Sequence, residues 1–492
     1  MLLLSASTAG AVANVFASEL RFDGQKITYR LNDDAEKVFV EVLDASGNVV
    51  CNFDLGLAKK GLNEFFVAAL PVEDGTYAWR LVVKGAPVAE PTLITSDKPE
   101  ALNVSNIRGL GFDTWQESPA FGSFYAASAA NISAVRPGAR TEAGVYAYNA
   151  DFSAKSDAAY TGGQEWSGNS SPNNIRVSED GQVFVCDWTD GHAGVWIMNP
   201  EDPAADFKPV FGGAERNGDG LLTVDGVKVA GSVQDFALYG KGEKRMMYTS
   251  DEDINSNAGE IFVYAIGTLA TPWNTAPTAC WGNNGGKIVN ANQRVSSDRR
   301  GGLWVSQYRW EESDAYPVLS HVNAAGEWDY QTGDKSLILG SGPAGASAVN
   351  SDGSLIAVAD NGHGTNITIL KATYDENGLP ALAEFCKIDV TGYGNRPLGV
   401  AFDAANNVYA AFNNDDADGG IGAWALPNPD NTYTTTANMP LTLESGINGV
   451  CIGESDNTPA EYFDITGRRV ENPEAGHLYL ERRGTKVSKV IK

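Results

Sequence analysis

Six short segments of this chain end at a common register: "FYAAS" at Ser128, "VFVCD" at Asp187, "MYTSD" at Asp251, "LWVSQ" at Gln307, "IAVAD" at Asp360, and "VYAAF" at Phe412 with Asn413 following. Carboxylate, amide and hydroxyl oxygens that converge on one point could coordinate a hard cation such as Ca²⁺, which takes about six to eight oxygen ligands, or could hydrogen-bond a polar ligand. Asp187, Asp251 and Asp360 are the candidate metal ligands. The competing reading is that each Asp caps its own turn by accepting from backbone N–H groups.

Two of these segments run into loops with histidine: "DWTDGHAG" holds Asp187 and His192, and "DNGHGT" holds Asp360 and His363. A His beside an Asp can act as general base or ligate a metal through neutral imidazole. The spacing differs between the loops and no H-x-x-x-H or H-E-x-x-H accompanies it, so histidines in surface glycine turns are the alternative. Aromatic residues are expected to cluster beyond the same strand ends, at Trp115, Trp166, Trp188, Tyr308 and Trp310. Rings on exposed loops suit stacking on sugar faces or burial in a protein interface, whereas packing between strands is the other use of tryptophan. The candidate ligand-binding set is therefore Ser128, Asp187, Trp188, His192, Asp251, Gln307, Tyr308, Trp310, Asp360, His363 and Asn413. No residue is assigned a catalytic role.

Other chemistry is not signalled. Acidic loops at "ERNGDG", "SDEDIN" and "FNNDDADGG" lack the ordered spacing of a helix-loop-helix calcium site. There is no phosphate-binding P-loop, no strand–GxGxxG–helix unit, no G-x-S-x-G elbow and no zinc-protease helix. A net charge of −26 repels phosphate backbones and excludes nucleic acid as an expected partner. No segment approaches the apolar length of a spanning helix. The five cysteines are scattered, without C-x-x-C spacing, and are expected as buried free thiols.

The elements that must position the six polar ends are short strands. The fourth residue of each segment is small (Ala127, Cys186, Ser250, Ser306, Ala359, Ala411), as crowding near the axis of a ring of blades requires. Each is preceded by an opening ("GLGFDTW", "NIRVSEDG", "VQDFALYG", "NQRVSSDRRG", "GASAVNSDG", "PLGVAFDAAN") and followed by a third strand such as "GVYAYNAD" or "GVWIMNPED". The openings recur at roughly 50–65 residues, a blade length, and predict a β-propeller over 102–455. Six blades are expected, with "INGVCIGES" near Cys451 closing the ring; a seventh blade starting there is the alternative. Openings such as "PLGVAFDAANNVYAAF" resemble those of NHL-type and SMP-30/gluconolactonase-like six-bladed propellers. That resemblance implies architecture; propellers of this pattern bind proteins, glycans or metals, and some are lactonases or lyases. An enzyme of that kind would want an early glutamate at the channel mouth, for which Ser128 or Glu117 is a poor substitute.

Before the repeats, residues 19–86 read as a small antiparallel sandwich from "KITYRL", "KVFVEVLDASGNVV", "LNEFFVAAL" and "GTYAWRLVVKG". Their order resembles the FlgD-type Ig-like domain of exported bacterial proteins. Residues 87–101 read as a linker in which "TLITS" could add an edge strand. Residues 1–18 look like a signal peptide without its charged start, with Ala11 and Ala13, or Val15 and Ala17, at the cleavage positions. Residues 456–492, "YFDITGRRV … GHLYLERR … KVIK", predict a β-hairpin tail. It resembles a short type IX secretion sorting segment, matched at Arg468, Arg469, Gly476, Tyr479 and Lys492, and implies engagement of that secretion machinery. The chain is thus expected to be all-β, secreted or displayed at the bacterial surface, and to bind a glycan or protein on a propeller face. A metal-dependent hydrolase or lactonase at the channel mouth and a structural surface component are the alternatives.

Overall fold

Runs of alternating apolar residues cut by Gly, Asn and Asp turns give short antiparallel strands, and the computed structural model is built of them almost throughout. It describes residues 12–130, 137–189, 192–212, 215–216, 222–224, 226–251, 260–288, 293–307, 317–332, 344–360, 366–391, 393, 397–412, 420–443, 459–474, 477–483 and 486–491. No helix among them is long and apolar enough to cross a membrane.

Residues Val88–Pro427, with the described Val12 and Ala13 packed among them, form one unit, a ring of six antiparallel blades. The first strands are Ile107–Phe112, Asn174–Val177, Val233–Tyr239, Gln293–Ser297, Ala344–Val349 and Pro397–Phe402. Each lies against the first strand of the next blade, and the sixth returns to the first, so the ring closes at six. The second strands end where the sequence placed them, at Ser128, Asp187, Asp251, Gln307, Asp360 and Phe412. They also touch the next blade's first strand, which is why their fourth residue is small. Ser306, for instance, meets Ser347 of blade five, Oγ to Oγ at 2.8 Å. Close approach at the axis also explains two glycines. A Cβ on Gly109 would stand 2.1 Å from Asn174 Oδ1, and one on Gly399 would stand 3.0 Å from the Cα of Gly109.

The ring is closed by residues that precede it. Thr92–Leu93 pairs with Trp424 and Ala425 as the outer strand of blade six, so the stretch read as a linker supplies the edge strand that "TLITS" suggested. The "INGVCIGES" opening lies outside the described residues.

The second unit joins Asn14–Pro87 to Asn428–Lys492. One sheet orders Ala17–Phe22, Lys26–Leu31 and Gly61–Phe66; the other orders Val49–Ala58, Ala35–Leu43 and Gly75–Lys84. Val38, Val40 and Val42 are buried, as their alternation requires, with Trp79, Leu81 and Val83 against them. Thr432–Thr436 and Leu441–Leu443 then pair along Gly75–Lys84. Residues 428–443 therefore belong to the sandwich and not to the expected 102–455 repeat region: Gly75–Lys84 would otherwise present an unpaired edge. The amino-terminal boundary also moves. Val15, Phe16 and Ala17 are buried in the sandwich, with Phe16 N donating to Asn32 Oδ1 at 2.8 Å and Val15 N to Asn431 Oδ1 at 2.9 Å, so 14–18 are structural and not a disposable leader.

The tail forms a sheet of Glu461–Phe463, Arg469–Val470, Leu478–Arg483 and Lys486–Ile491 around the turn at Gly467, φ +83°. Phe463 packs on Phe66 at 5.7 Å between ring centroids. Of the cysteines, Cys51 and Cys186 are buried as expected, Cys386 is half-buried and Cys280 is exposed, because the short outer strand Ala279–Cys280 covers a blade edge.

Candidate functional site

First and second strands run antiparallel, so the second-strand ends stand opposite the first-strand starts: Ser128 faces Ile107, Asp251 faces Val233 and Gln307 faces Gln293. This end of the channel is the rim. Its polar groups are engaged within their own blades. Ser128 Oγ donates to the Ser105 carbonyl at 2.9 Å, Gly231 N donates to Asp251 Oδ2 at 2.7 Å, and Gln307 Nε2 donates to the carbonyls of Lys287 at 2.9 Å and Pro317 at 2.6 Å. Among the described residues no three His, Cys, Asp or Glu side chains are grouped to hold a metal ion. The Asp360 side chain, Tyr308, Trp310, His363 and Asn413 lie outside the described residues.

Blade two carries the rim's most developed arrangement. Asp187, fully buried, accepts from Thr189 N at 2.8 Å through Oδ1 and from Ser171 Oγ at 2.7 Å through Oδ2. The same Oδ2 lies 2.5 Å from His192 Nδ1. A carboxylate only accepts, so Nδ1 carries a proton, and in the neutral form of the ring Nε2 is the acceptor. The imidazole lies flat on Trp196 (5.0 Å, 12°) and edge-on to Trp166 (5.3 Å, 78°). Its side chain keeps 22% of its exposure. Trp188, next to Asp187 along the chain, is half-buried, its main-chain N–H donating to Ser170 O at 3.1 Å. Turn-capping and the Asp–His pair thus coexist at Asp187: the cap fixes the carboxylate that fixes the imidazole.

The expected aromatic cluster divides. Trp166, at 9% exposure, is a wall of the His192 pocket and not a platform. Trp115 follows a first strand and so belongs to the opposite end of its blade, where Arg299 lies over its ring at 5.3 Å. Glu117, at that same end, is exposed and pairs with Lys241 at 2.7 Å.

Three groups escaped the sequence reading. The first lies on the first strands, where a β-bulge interrupts pairing in blades one, three, five and six, adding Arg108 and Gln234 in blades one and three. Asp235, buried beside that bulge, accepts from Asn174 Nδ2 at 2.5 Å, Arg176 Nη2 at 2.9 Å and Val295 N at 3.0 Å, joining blades two, three and four. The repeated arginine of "NIRG", "NIRV" and "NQRV" was its visible signal. The second is His321 in blade four, 1% exposed, with Nδ1 2.6 Å from Asp329 and Nε2 3.1 Å from Asp298.

The third is a repeated cap in the turn after the first strand. Ser178, Asp298, Asn350 and Asp403 each accept from the backbone N–H four or five residues on. Asp403 is fully buried with no cation on it among the described residues, and burial pushes its carboxyl up to about 7 against the donors Asn407, Ala405 and Tyr409. Burial likewise raises Asp113 to about 6, against a short bond from Ser118.

No family profile matches this sequence, and no curated protein does. Among solved structures, a protein of unknown function from Bacteroides thetaiotaomicron aligns over 85% of this chain and 98% of its own at 11% identity, TM-score 0.38. A gluconolactonase from Xanthomonas campestris aligns over 71% and 90% at 11% identity, TM-score 0.39. A calcium-binding regucalcin from Agrobacterium tumefaciens aligns over 70% and 95% at 12% identity, TM-score 0.39. Likeness of this grade carries no argument about activity.

Proposed function

We propose that this chain is a ligand-binding propeller that works outside the cell, with the rim as its recognition face and a glycan or protein as its ligand. One observation carries the reading: His192 is held by buried Asp187 and stacked on Trp196, yet keeps Nε2 as an acceptor on a partly exposed ring. A preoriented polar atom beside indoles suits a hydroxyl-bearing partner. Export is supported by the four-stranded tail in the segment that resembles a type IX sorting signal. The test is a glycan and surface-protein array followed by calorimetry. His192→Ala and Trp188→Ala should each weaken binding at least about tenfold, the cost of one good hydrogen bond or ring contact; a ligand bound equally by both variants would overturn it.

The Asp187–His192 pairing also favours a second reading, a hydrolase or lactonase in which His192 Nε2 takes a proton from water and Asp187 fixes the tautomer. A lactone and ester panel would settle it: turnover lowered about a hundredfold by His192→Ala supports the enzyme, and no turnover removes it.

A further inference from the structure

The turn end of the channel, opposite the rim, holds a recess to which all six first strands contribute. Gly111, Ala237, Ala348 and Ala401 keep its walls thin, and Arg176, Arg299, Thr114, Ser296, Ser297 and Ser351 supply its polar groups. No Asp or Glu side chain lines it among the described residues, although the whole chain carries a net charge of −26. Two guanidiniums in one recess repel each other, an arrangement that an anion relieves.

The two arginines are held differently. Arg176 is anchored by Asp235 at 2.9 Å and by Asn174 Oδ1 at 2.7 Å. Arg299 donates only Nε, to the Asn350 carbonyl at 3.3 Å, and lies over Trp115, so its two terminal nitrogens have no hydrogen-bond partner among the described residues. Its backbone sits at φ +64°, a region a long side chain rarely adopts, which fixes the direction in which the side chain leaves the turn. Burial holds this guanidinium below the usual arginine range, with Arg176 adding to the effect and the carboxylates of Glu179, Asp298 and Asp352 opposing it. Further along the first strands, Arg108 makes no ion pair among the described residues and its buried Nε has no partner there.

We propose that this recess binds a small oxyanion, a carboxylate or an inorganic phosphate, between the guanidiniums of Arg176 and Arg299, with the hydroxyls of Thr114, Ser297 and Ser351 as further donors. The planar fork of arginine matches two oxygens of either anion. This site is separate from the rim, and its fate does not depend on what His192 does.

The experiment titrates the full chain with sodium phosphate and sodium acetate at constant ionic strength, with sodium chloride and glycerol as controls, reading calorimetric heat and melting temperature. A saturable heat and a rise in melting temperature are expected with phosphate, acetate or both, and neither with the controls. Arg299→Gln should weaken the affinity at least about tenfold and Arg299→Lys by less, since it keeps charge but loses the fork. No saturable binding of either anion, or equal affinity in Arg299→Gln, overturns the proposal. Should Arg299→Gln fail to fold, phenylglyoxal labelling of the native protein decides: phosphate should slow modification of Arg299 at least about threefold, and unchanged labelling overturns the proposal.

Discussion

Two histidines of this propeller sit beside aspartate and tryptophan, and they have become different objects. His321 lies between Asp298 and Asp329 with its ring 4.7 Å from Trp304, both nitrogens engaged and 1% of its surface exposed. His192 has one carboxylate, one stacked indole and a nitrogen left over. The first is a strut joining the turn, third strand and fourth strand of blade four; the second, in the function proposed above, is a reagent or a contact point. The difference is the second carboxylate, and it shows that an Asp–His pair carries chemistry only when one nitrogen remains for something outside the protein.

The contrast breaks most readily at the strut. His321→Ala leaves the buried Asp298 carboxylate and the half-buried Asp329 carboxylate without the imidazole, and urea unfolding should show a loss of about 3–5 kcal/mol; a loss below about 1 kcal/mol would make His321 no more structural than His192. Asp403 is a third case, a buried carboxylate with no imidazole. Its folded-state pKa is raised above the ordinary value, so the folded protein holds this proton longer than the unfolded chain does. That contribution to stability is present below the unfolded pKa near 3.8 and is lost as pH rises through about 7. Wild-type stability should therefore fall by about 1 kcal/mol per pH unit across that window from this group, and Asp403→Asn should flatten the slope; Asp113, at about 6, adds the same sign. The smallest effect belongs to His192→Ala. Asp187 keeps Ser171 and Thr189 as donors, so stability should drop by only about 1 kcal/mol while ligand response is lost. A larger drop would mean that His192 is a strut as well.

Local pattern made the second strands legible to the residue, because a small residue followed by a polar one repeats in each blade and has one packing cause. The bulges were not legible, since an extra residue in a first strand leaves no mark on alternation until its partner strand is known. His321 was hidden for a related reason. "LSHV" reads as an ordinary third strand, and its carboxylates come from a turn 23 residues before and a strand 8 residues after. Thr432–Thr436 fell inside the expected 102–455 repeat region, because nothing in five residues tells which distant edge they will cover. The rim strand ends were placed correctly along the chain, but their local bonds were not legible: Ser128, Asp251 and Gln307 each meet nearby backbone groups that no spacing announces.

The sandwich made from both sides of the propeller's sequence has a consequence for how the chain is born. Gly85 N bonds Asn431 O at 2.9 Å, and Asn431 Nδ2 bonds Ala86 O at 2.6 Å, so the two points where the propeller leaves and re-enters are stitched side by side. On the ribosome the amino-terminal sheet must wait with Gly75–Lys84 open along one side until some 350 later residues have emerged. Once Thr432–Thr436 docks, the open side of Gly75–Lys84 is covered and the sandwich is complete.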